Sequence, residues 1–400
     1  MLKDIISQLL TPRRPGADVS APGLYHFVRE SDGRALRYHL RVERDGSGLL
    51  IANANEACRL SPSGVRIARG LLEKVSAEKL EAQLLGAFRD LSPATAKADV
   101  ERVRAVIDEM VRPGSRFPLT SLDDASQVRR RTLSAPLVAD IELPELARGK
   151  EILAKLWDAA VPQSVLLVSE GGDRETAIAL VERAEDLGMI VGVRGRATDF
   201  GDGETWKALA RCGLDRADVF YAHADAAVHD ALFGAGDHAL ATAAFAALRA
   251  LEVCSVAVVP LVASTWNAFG ATVGLLRDAG VTTIVAYAVV GEEAVPDGAS
   301  LPLRALSQAT AYAEEVADSF GVGLLWATAI TVAQGQDVLR ALRRGPAAAG
   351  DAAVHITREG SVLGADGSPD SAGDLLRDPW EQIWSNAVFA KYREGTEVTR

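Results

Sequence analysis

The sequence predicts an α/β fold: a partial (β/α) barrel of the TIM type, with a smaller α+β domain in front of it. Three observations lead there. Between 135 and 336, short apolar runs alternate with helical stretches, which is how a parallel sheet is written in sequence. The alternation gives seven strand–helix steps, short of the eight of a complete barrel. The stretch 22–112 instead reads strands first and helices afterwards, the order of an independent α+β unit of small-domain size.

In that first unit, "LYHFVRE" and "RALRYHLRVERDGSGLLIANAN" are β-rich, with a hairpin signal at Asp45-Gly46, and "ACRL" is a further short strand. Ser61 as N-cap and Pro62 in the first turn open a helix through "GVRIARGLLEKV". Ser76 opens a second, "AEKLEAQLLGAFRDL", and "KADVERVRAVIDEMV" makes a third. The residues before Pro22 read as a flexible tail. Residues 113–134, with their prolines, serines and charges, read as a linker.

The barrel strands are expected at "PLVADIEL", "SVLLVS", "MIVGVRG", "ADVFYAH", "CSVAVVPLV", "TTIVAYAVV" and "GVGLLWATAI". Their apolar, β-branched character fits strands buried on both faces. Helices such as "RGKEILAKLWDAA", "RETAIALVERAEDL" and "HALATAAFAALRAL" lie between them. In this architecture ligands sit at the C-terminal ends of the strands. The last segment, 337–400, reads as a helix, "DVLRALRRG", a small hairpin, "VHITREGSVLG", and a helix, "DPWEQIWSNAVFAKYRE". Trp380 and Trp384 fall on one face of that helix, and with Trp266 read as packing anchors.

Composition narrows the function. The chain has 400 residues, 48% hydrophobic, and a formal net charge of −11. There is no basic stripe, so nucleic acid is not expected as a partner; the short "RRR" at 129–131 reads as a solvated loop. No apolar run reaches membrane-spanning length, and the first residues lack the apolar core of a signal peptide, so a cytoplasmic location without a membrane partner is expected. The three cysteines, Cys58, Cys212 and Cys254, are far apart, which excludes a sequence-local cysteine cluster for zinc or iron–sulfur. His223, His229 and His238 fit no common zinc spacing, and no metal site is expected from them. Neither a Gly-x-Ser-x-Gly elbow nor a phosphate-binding P-loop is present.

One stretch invites a ligand: "SVLLVSEGGDRE", where the second barrel strand stops at Glu-Gly-Gly-Asp. Ser169, Glu170, Gly171, Gly172 and Asp173 could hold an amino group, since glycines let a ligand approach the backbone and acids attract an ammonium. The other reading is a tight turn with Asp173 as a helix N-cap. Arg194, ending the third strand, either pairs with a ligand carboxylate in the same pocket or closes the mouth in an ion pair with aspartate.

These motifs, taken in order, resemble the peptide-modifying branch of the radical S-adenosylmethionine (radical SAM) family. Gly171-Gly172-Asp173-Arg174 stands where that family has its SAM-binding Gly-Gly-Glu-Pro loop. "AEDLGMIVGVRGRATDF" and "GLDRADVFYAHADAAVHDALFGAG" are similar to the third and fourth strands and their helices. "GLLIANANEACRLSPSGVRIARGLLEKVSAEKLEAQL" resembles the winged-helix-like PqqD-type peptide-recognition domain, and 337–400 resembles the SPASM or twitch extension. The resemblance implies leader-peptide binding along a strand edge, placed at Leu49, Leu50, Ile51, Ala52 and Asn53; the alternative is a structural cap that binds nothing. One departure outweighs the matches. The family holds its cluster with three cysteines after the first barrel strand, and here that place reads "ADIELPELARGKEIL". The extension, too, lacks its cysteines.

The expectation is therefore a degenerate, cluster-less relative with no catalytic residues. It would be an accessory or scaffold protein in maturing a ribosomally made peptide, binding the leader or precursor or pairing with a true radical enzyme, as a homo- or hetero-oligomer. No cofactor is expected, SAM remaining the one candidate and an iron–sulfur cluster being excluded. The alternative is an enzyme or sensor that binds SAM or an amino-acid-like ligand and does polar chemistry. A third reading is an inactive homologue that competes for the leader.

Overall fold

The computed structural model describes residues 21–31, 34–52, 56–88, 91–110, 133–169, 171–291, 299–332, 337–346, 352–364 and 370–389. The N-terminal tail, nearly all of the 113–134 linker, Glu170 and Asn53 lie outside them. The chain divides into two compact units, Met1–Ala135 with Trp157–Pro162, and Pro136–Leu156 with Gln163–Arg400.

The first unit holds an antiparallel sheet in the order β1 (Gly23–Ser31), β2 (Arg34–Val42), β3 (Gly48–Ala52), β4 (Glu56–Leu60). The Asp45-Gly46 turn joins β2 to β3, with Gly46 at φ 79° and the Asp45 carboxylate accepting from the Ser47 amide at 2.9 Å. Helices α1 (Pro62–Leu72), α2 (Ala77–Ala87) and α3 (Pro93–Met110) follow. The caps fall where the sequence put them: Ser61 Oγ accepts from the Gly64 amide at 3.2 Å, and Ser76 Oγ from the Lys79 amide at 3.3 Å. Leu40, Leu50, Val65, Ile67, Leu80, Leu84, Val100 and Ile107 form the core of this unit. Arg41, which alternates with Leu40 and Val42 along β2, is fully buried too, its charge met by Glu43 at 2.8 Å and one N–H donated to the Ala135 carbonyl at 3.1 Å. Nothing in the hydrophobic pattern announces that buried ion pair.

The second unit is a mixed, mainly parallel sheet with helices. Strands β5 (Val138–Glu142), β6 (Gln163–Leu167), β7 (Ile190–Gly195), β8 (Arg216–Phe220), β9 (Cys254–Leu261) and β10 (Thr283–Gly291) pair in sequence order, all parallel. The first four β-to-β connections carry α4 (Leu146–Asp158), α5 (Arg174–Leu187), α6 (Ala197–Phe200) with α7 (Gly203–Arg211), and α8 (Ala226–Phe233) with α9 (Asp237–Ala250). Helix α10 (Phe269–Asp278) leads into β10, and β11 (Leu301–Pro302) adds a short ladder to it before α11 (Leu306–Phe320). β8 and β10 are buried along their whole length, as strands covered on both faces must be.

The seventh expected strand is broken. "GVGLLWATAI" becomes β12 (Gly323–Trp326) and β13 (Ile330–Thr331), which pair with the two ends of β10. β12 is partly exposed, with Trp326 at 40%, unlike the fully buried β8 and β10. Helix α12 (Val338–Arg344) follows. The C-terminal hairpin forms as β14 (Ala353–Ile356) and β15 (Ser361–Leu363), extended by β16 (Ser371–Asp374). Beyond the sequence reading, β14 also pairs in parallel with β5 and so lengthens the main sheet. In α13 (Trp380–Trp384) the two tryptophans stack with centroids 5.7 Å apart. Among the described residues, no single helix is long and apolar enough to cross a membrane.

Candidate functional site

One polar network joins β5, β7 and β8. Arg194 of β7 stands opposite Asp218 of β8 in the register and donates to its carboxylate at 3.1 Å. It also reaches past β6 to Asp140 of β5 at 2.8 Å. Asp218 is bound a second time, by Arg216. Burial works against the charge on Arg194, but Asp140 and Asp218 outweigh it and hold its pKa above the ordinary arginine value. Of the two readings of Arg194, the structure shows the ion pair with aspartate.

The Gly-Gly turn lies beside it. Gly171 adopts φ 76°, and the Gly172 amide donates back to the Ser169 carbonyl at 2.8 Å. A side chain at 172 would meet that carbonyl at 2.8 Å, so the second glycine is required by the turn itself. Asp173 caps α5: its carboxylate accepts from the amides of Glu175 and Thr176 at 3.2 Å each and from the Thr176 hydroxyl at 2.6 Å. These bonds, the hydroxyl's first, hold its pKa below the ordinary aspartate value. The turn reading of Asp173 is what its contacts show. Arg174 crosses to the next turn and donates to the carbonyls of Asp199 and Thr198 at 2.9 and 3.0 Å. Ser169 Oγ accepts from Arg358 at 2.7 Å.

Two cavities open here. One, ≈ 680 Å³, runs along the Gly-Gly turn and includes Gly171, Gly172, Asp173 and Thr198. The other, ≈ 960 Å³, lies at the strand ends under α12 and includes Ser169, Arg194, Arg340 and Arg358. Ser169, Arg196 and Asp199 line both. Asp173 and Arg194, expected to face one ligand, are divided between the two. The mouth is nevertheless not plugged.

Helix α12 roofs the larger cavity and is well fastened. Tyr287 of β10 donates its buried hydroxyl to the Leu342 carbonyl at 2.7 Å, and Arg343 donates to the Leu232 carbonyl at 2.7 Å. Gly345 follows at φ 73°, where a side chain would strike the Phe220 ring at 2.6 Å. The arginines of this helix escaped the sequence reading of the site; their i, i+3, i+4 spacing in "DVLRALRRG" was the available signal.

The histidines are structural in their contacts. His229 is fully buried, its Nδ1 accepting from the Ala222 amide at 3.1 Å and its Nε2 lying 3.0 Å from Asp237. His238 Nε2 is 2.8 Å from the Tyr221 hydroxyl, and His223 Nδ1 accepts from the Asp225 amide at 2.8 Å. Among the described residues no three His, Cys, Asp or Glu side chains gather as a metal-ion site.

The expected peptide-binding residues need correction. Leu49, Leu50, Ile51 and Ala52 form β3, which is paired with β2 on one side and β4 on the other, and all four are buried. The backbone edge they were expected to offer is already used by the sheet. Among the described residues, the strands paired on one side are β1 and β4.

Set against solved structures, this architecture matches SuiB of Streptococcus suis, with a TM-score of 0.56 and 12% identity over 89% of each chain. A structure of SuiB bound to S-adenosylmethionine gives 0.55 at 12% identity, again over 89% of each. SuiB bound to the precursor peptide SuiA gives 0.55 at 12% identity, over 92% of this chain and 90% of that one. The fold is that of SuiB. No family model matches the sequence, and no curated protein matches it.

The resemblance read from the sequence implies an iron–sulfur cluster after the first barrel strand, and no cysteine lies in β5, in α4 or between them. Thiolates hold such clusters. β5 passes to α4 through Leu143, Pro144 and Glu145 alone. Cys58 lies in β4 of the first unit, Cys212 at the C-cap of α7, and Cys254 begins β9, at the end of the strand away from the mouth. Burial pushes the Cys254 thiol up to about 12, far from a ready thiolate.

Proposed function

We propose that this chain is a cluster-free member of the radical SAM lineage and serves as a non-catalytic accessory or scaffold in the maturation of a ribosomally made peptide. It would hold the precursor or pair with a true radical enzyme. The observation that carries the reading is the connection after the first barrel strand: the fold shared with SuiB is present, but the place where thiolates are expected reads Leu143, Pro144 and Glu145 before α4 begins. On this reading the second unit is a partial barrel closed off by a degenerate SPASM or twitch-like extension from 337. The first unit is a PqqD-like recognition domain. SuiB has been seen with its precursor peptide, which supports a peptide partner here. The docking edge would be β1, where Val28 is 57% exposed, and not β3.

A second reading keeps SAM as a ligand without radical chemistry. The ≈ 680 Å³ cavity along the Gly-Gly turn favours it.

The test starts with anaerobically purified chain, assayed for iron and titrated with SAM by calorimetry. Neither iron nor heat supports the scaffold. Saturable heat without iron supports the second reading, and stoichiometric iron overturns both. Peptides that co-purify with the full chain are then identified by mass spectrometry. A discrete peptide retained by the native chain and lost from Val28→Asp supports docking at β1.

A further inference from the structure

We propose that the ≈ 960 Å³ cavity at the strand ends is a binding site for a small polyanion, a phosphorylated compound of nucleotide size. This goes beyond the scaffold reading and does not depend on it.

The charge of the cavity is opposite to that of the protein. The chain carries a net −11, yet among the described residues the cavity is lined by Arg194, Arg196, Arg340, Arg343, Arg344 and Arg358 against Glu142, Asp199 and Asp337. Pair by pair, the surplus falls on α12. Arg194 is spent on Asp140 and Asp218, and Arg196 on Asp199 at 2.7 Å. Glu142 meets His355 at 3.2 Å, with Arg358 adding its field. Asp337 caps α12 by accepting from the Arg340 amide at 2.9 Å. Arg343 donates to a carbonyl, which leaves its charge unneutralised. The Arg340 and Arg344 guanidiniums are exposed to the cavity and have no side-chain partner among the described residues.

Like charges at i, i+3 and i+4 repel. On a helix of seven residues, three such arginines are a standing cost that a bound anion would remove. The helix does not drift away to relieve it, because Tyr287, Arg343 and the Phe220–Gly345 contact hold it over the mouth. The donors are thus organised before a ligand arrives, which lowers the entropic cost of binding. Arg358 uses one nitrogen on Ser169, and its fork retains other N–H groups to share.

Guanidinium forks match phosphate oxygens in pairs. A phosphate brings up to two charges on one compact group, so two phosphates suffice for three guanidiniums. The volume lies at the upper end of small-ligand cavities, ~300–1,000 Å³, which fits a base or sugar in addition. A ligand whose reacting end is a sulfonium or an ammonium is electrostatically disfavoured in this cavity.

The test is calorimetry on the full chain with ATP, inorganic pyrophosphate and a hexaglutamate peptide as probes. The expected result is one-to-one binding of ATP or pyrophosphate, weakening as salt is raised toward ~0.5 M. The double variant R340Q/R344Q should bind at least about tenfold more weakly. Arg377→Gln, at a side chain 85% exposed outside the cavity, should bind as the native chain does. Both altered arginines are exposed, and an unchanged unfolding midpoint of the double variant establishes that the fold survives. No saturable heat with either phosphate overturns the proposal, as does undiminished binding by R340Q/R344Q. Hexaglutamate binding more tightly than both phosphates also overturns it, in favour of an acidic peptide.

Discussion

Arg194 and Asp140 meet at 2.8 Å although they are 54 residues apart and their strands are separated by β6. Asp140 is 2% exposed and Asp218, the other partner, is fully buried. Removing the cation would leave buried Asp140 without its partner, while Asp218 keeps Arg216, and breaking a buried pair from one side costs about 3–5 kcal/mol. Arg194→Met should therefore lower stability by that order, read as the shift of the urea midpoint at constant m. A change under about 1 kcal/mol would show that water reaches the network and that Arg194 is free for a ligand.

Asp173 separates the turn from the ligand-loop reading. As an N-cap it is replaceable by asparagine but not by alanine. Asp173→Ala should lower the urea midpoint measurably and Asp173→Asn should leave it nearly unchanged. If the carboxylate instead holds a ligand ammonium, both variants lose SAM heat alike while the asparagine form keeps its stability.

Glu142 gives the mouth a pH dependence. The hydrogen bond from His355 holds its carboxyl below the ordinary value; burial opposes this, and the charges of His355 and Arg358 assist. A depressed carboxyl contributes stability above its unfolded pKa, near about 4.3, and loses it as pH falls through the folded value. The side chain is 32% exposed, so the effect is ~1 kcal/mol or less. Between about pH 5 and about pH 3 the native chain should lose more stability than Glu142→Gln. Parallel slopes in denaturant titrations across that range would remove Glu142 from the acid response.

Local pattern and long-range pairing part company in this molecule. The alternation of apolar runs located the parallel strands because β8 and β10 are buried on both faces and leave no room for polar residues. Ser61, Ser76 and Asp173 were legible as caps because capping is decided within three residues. The hairpin at β14 was legible as a hairpin; its parallel pairing to β5, more than two hundred residues earlier, was not. The same holds for the contact of Arg358 with Ser169, 189 residues apart. Leu49 to Ala52 show the reverse error. Their apolar run marked a strand correctly, but β3 is paired with β2 on one side and β4 on the other, so it offers no edge.

The buried His229–Asp237 pair makes the last prediction. Nδ1 of His229 accepts the Ala222 amide, so its proton is on Nε2 and is donated to Asp237. The other oxygen of Asp237 accepts from the amide and the hydroxyl of Thr198, each at 2.8 Å. One carboxylate thus ties the end of β8, α8, α9 and the start of α6, the turn that lines the cavity along Gly171 and Gly172. Asp237→Ala leaves the His229 Nε2–H and the Thr198 amide without acceptors, at about 1–3 kcal/mol for each buried group. Stability should fall by about 3 kcal/mol, and the Thr198 amide should lose hydrogen-exchange protection earlier than the amides of β8. Uniform loss of protection across both would mean that the pair stabilises the second unit globally, without any special hold on the turn beside the cavity.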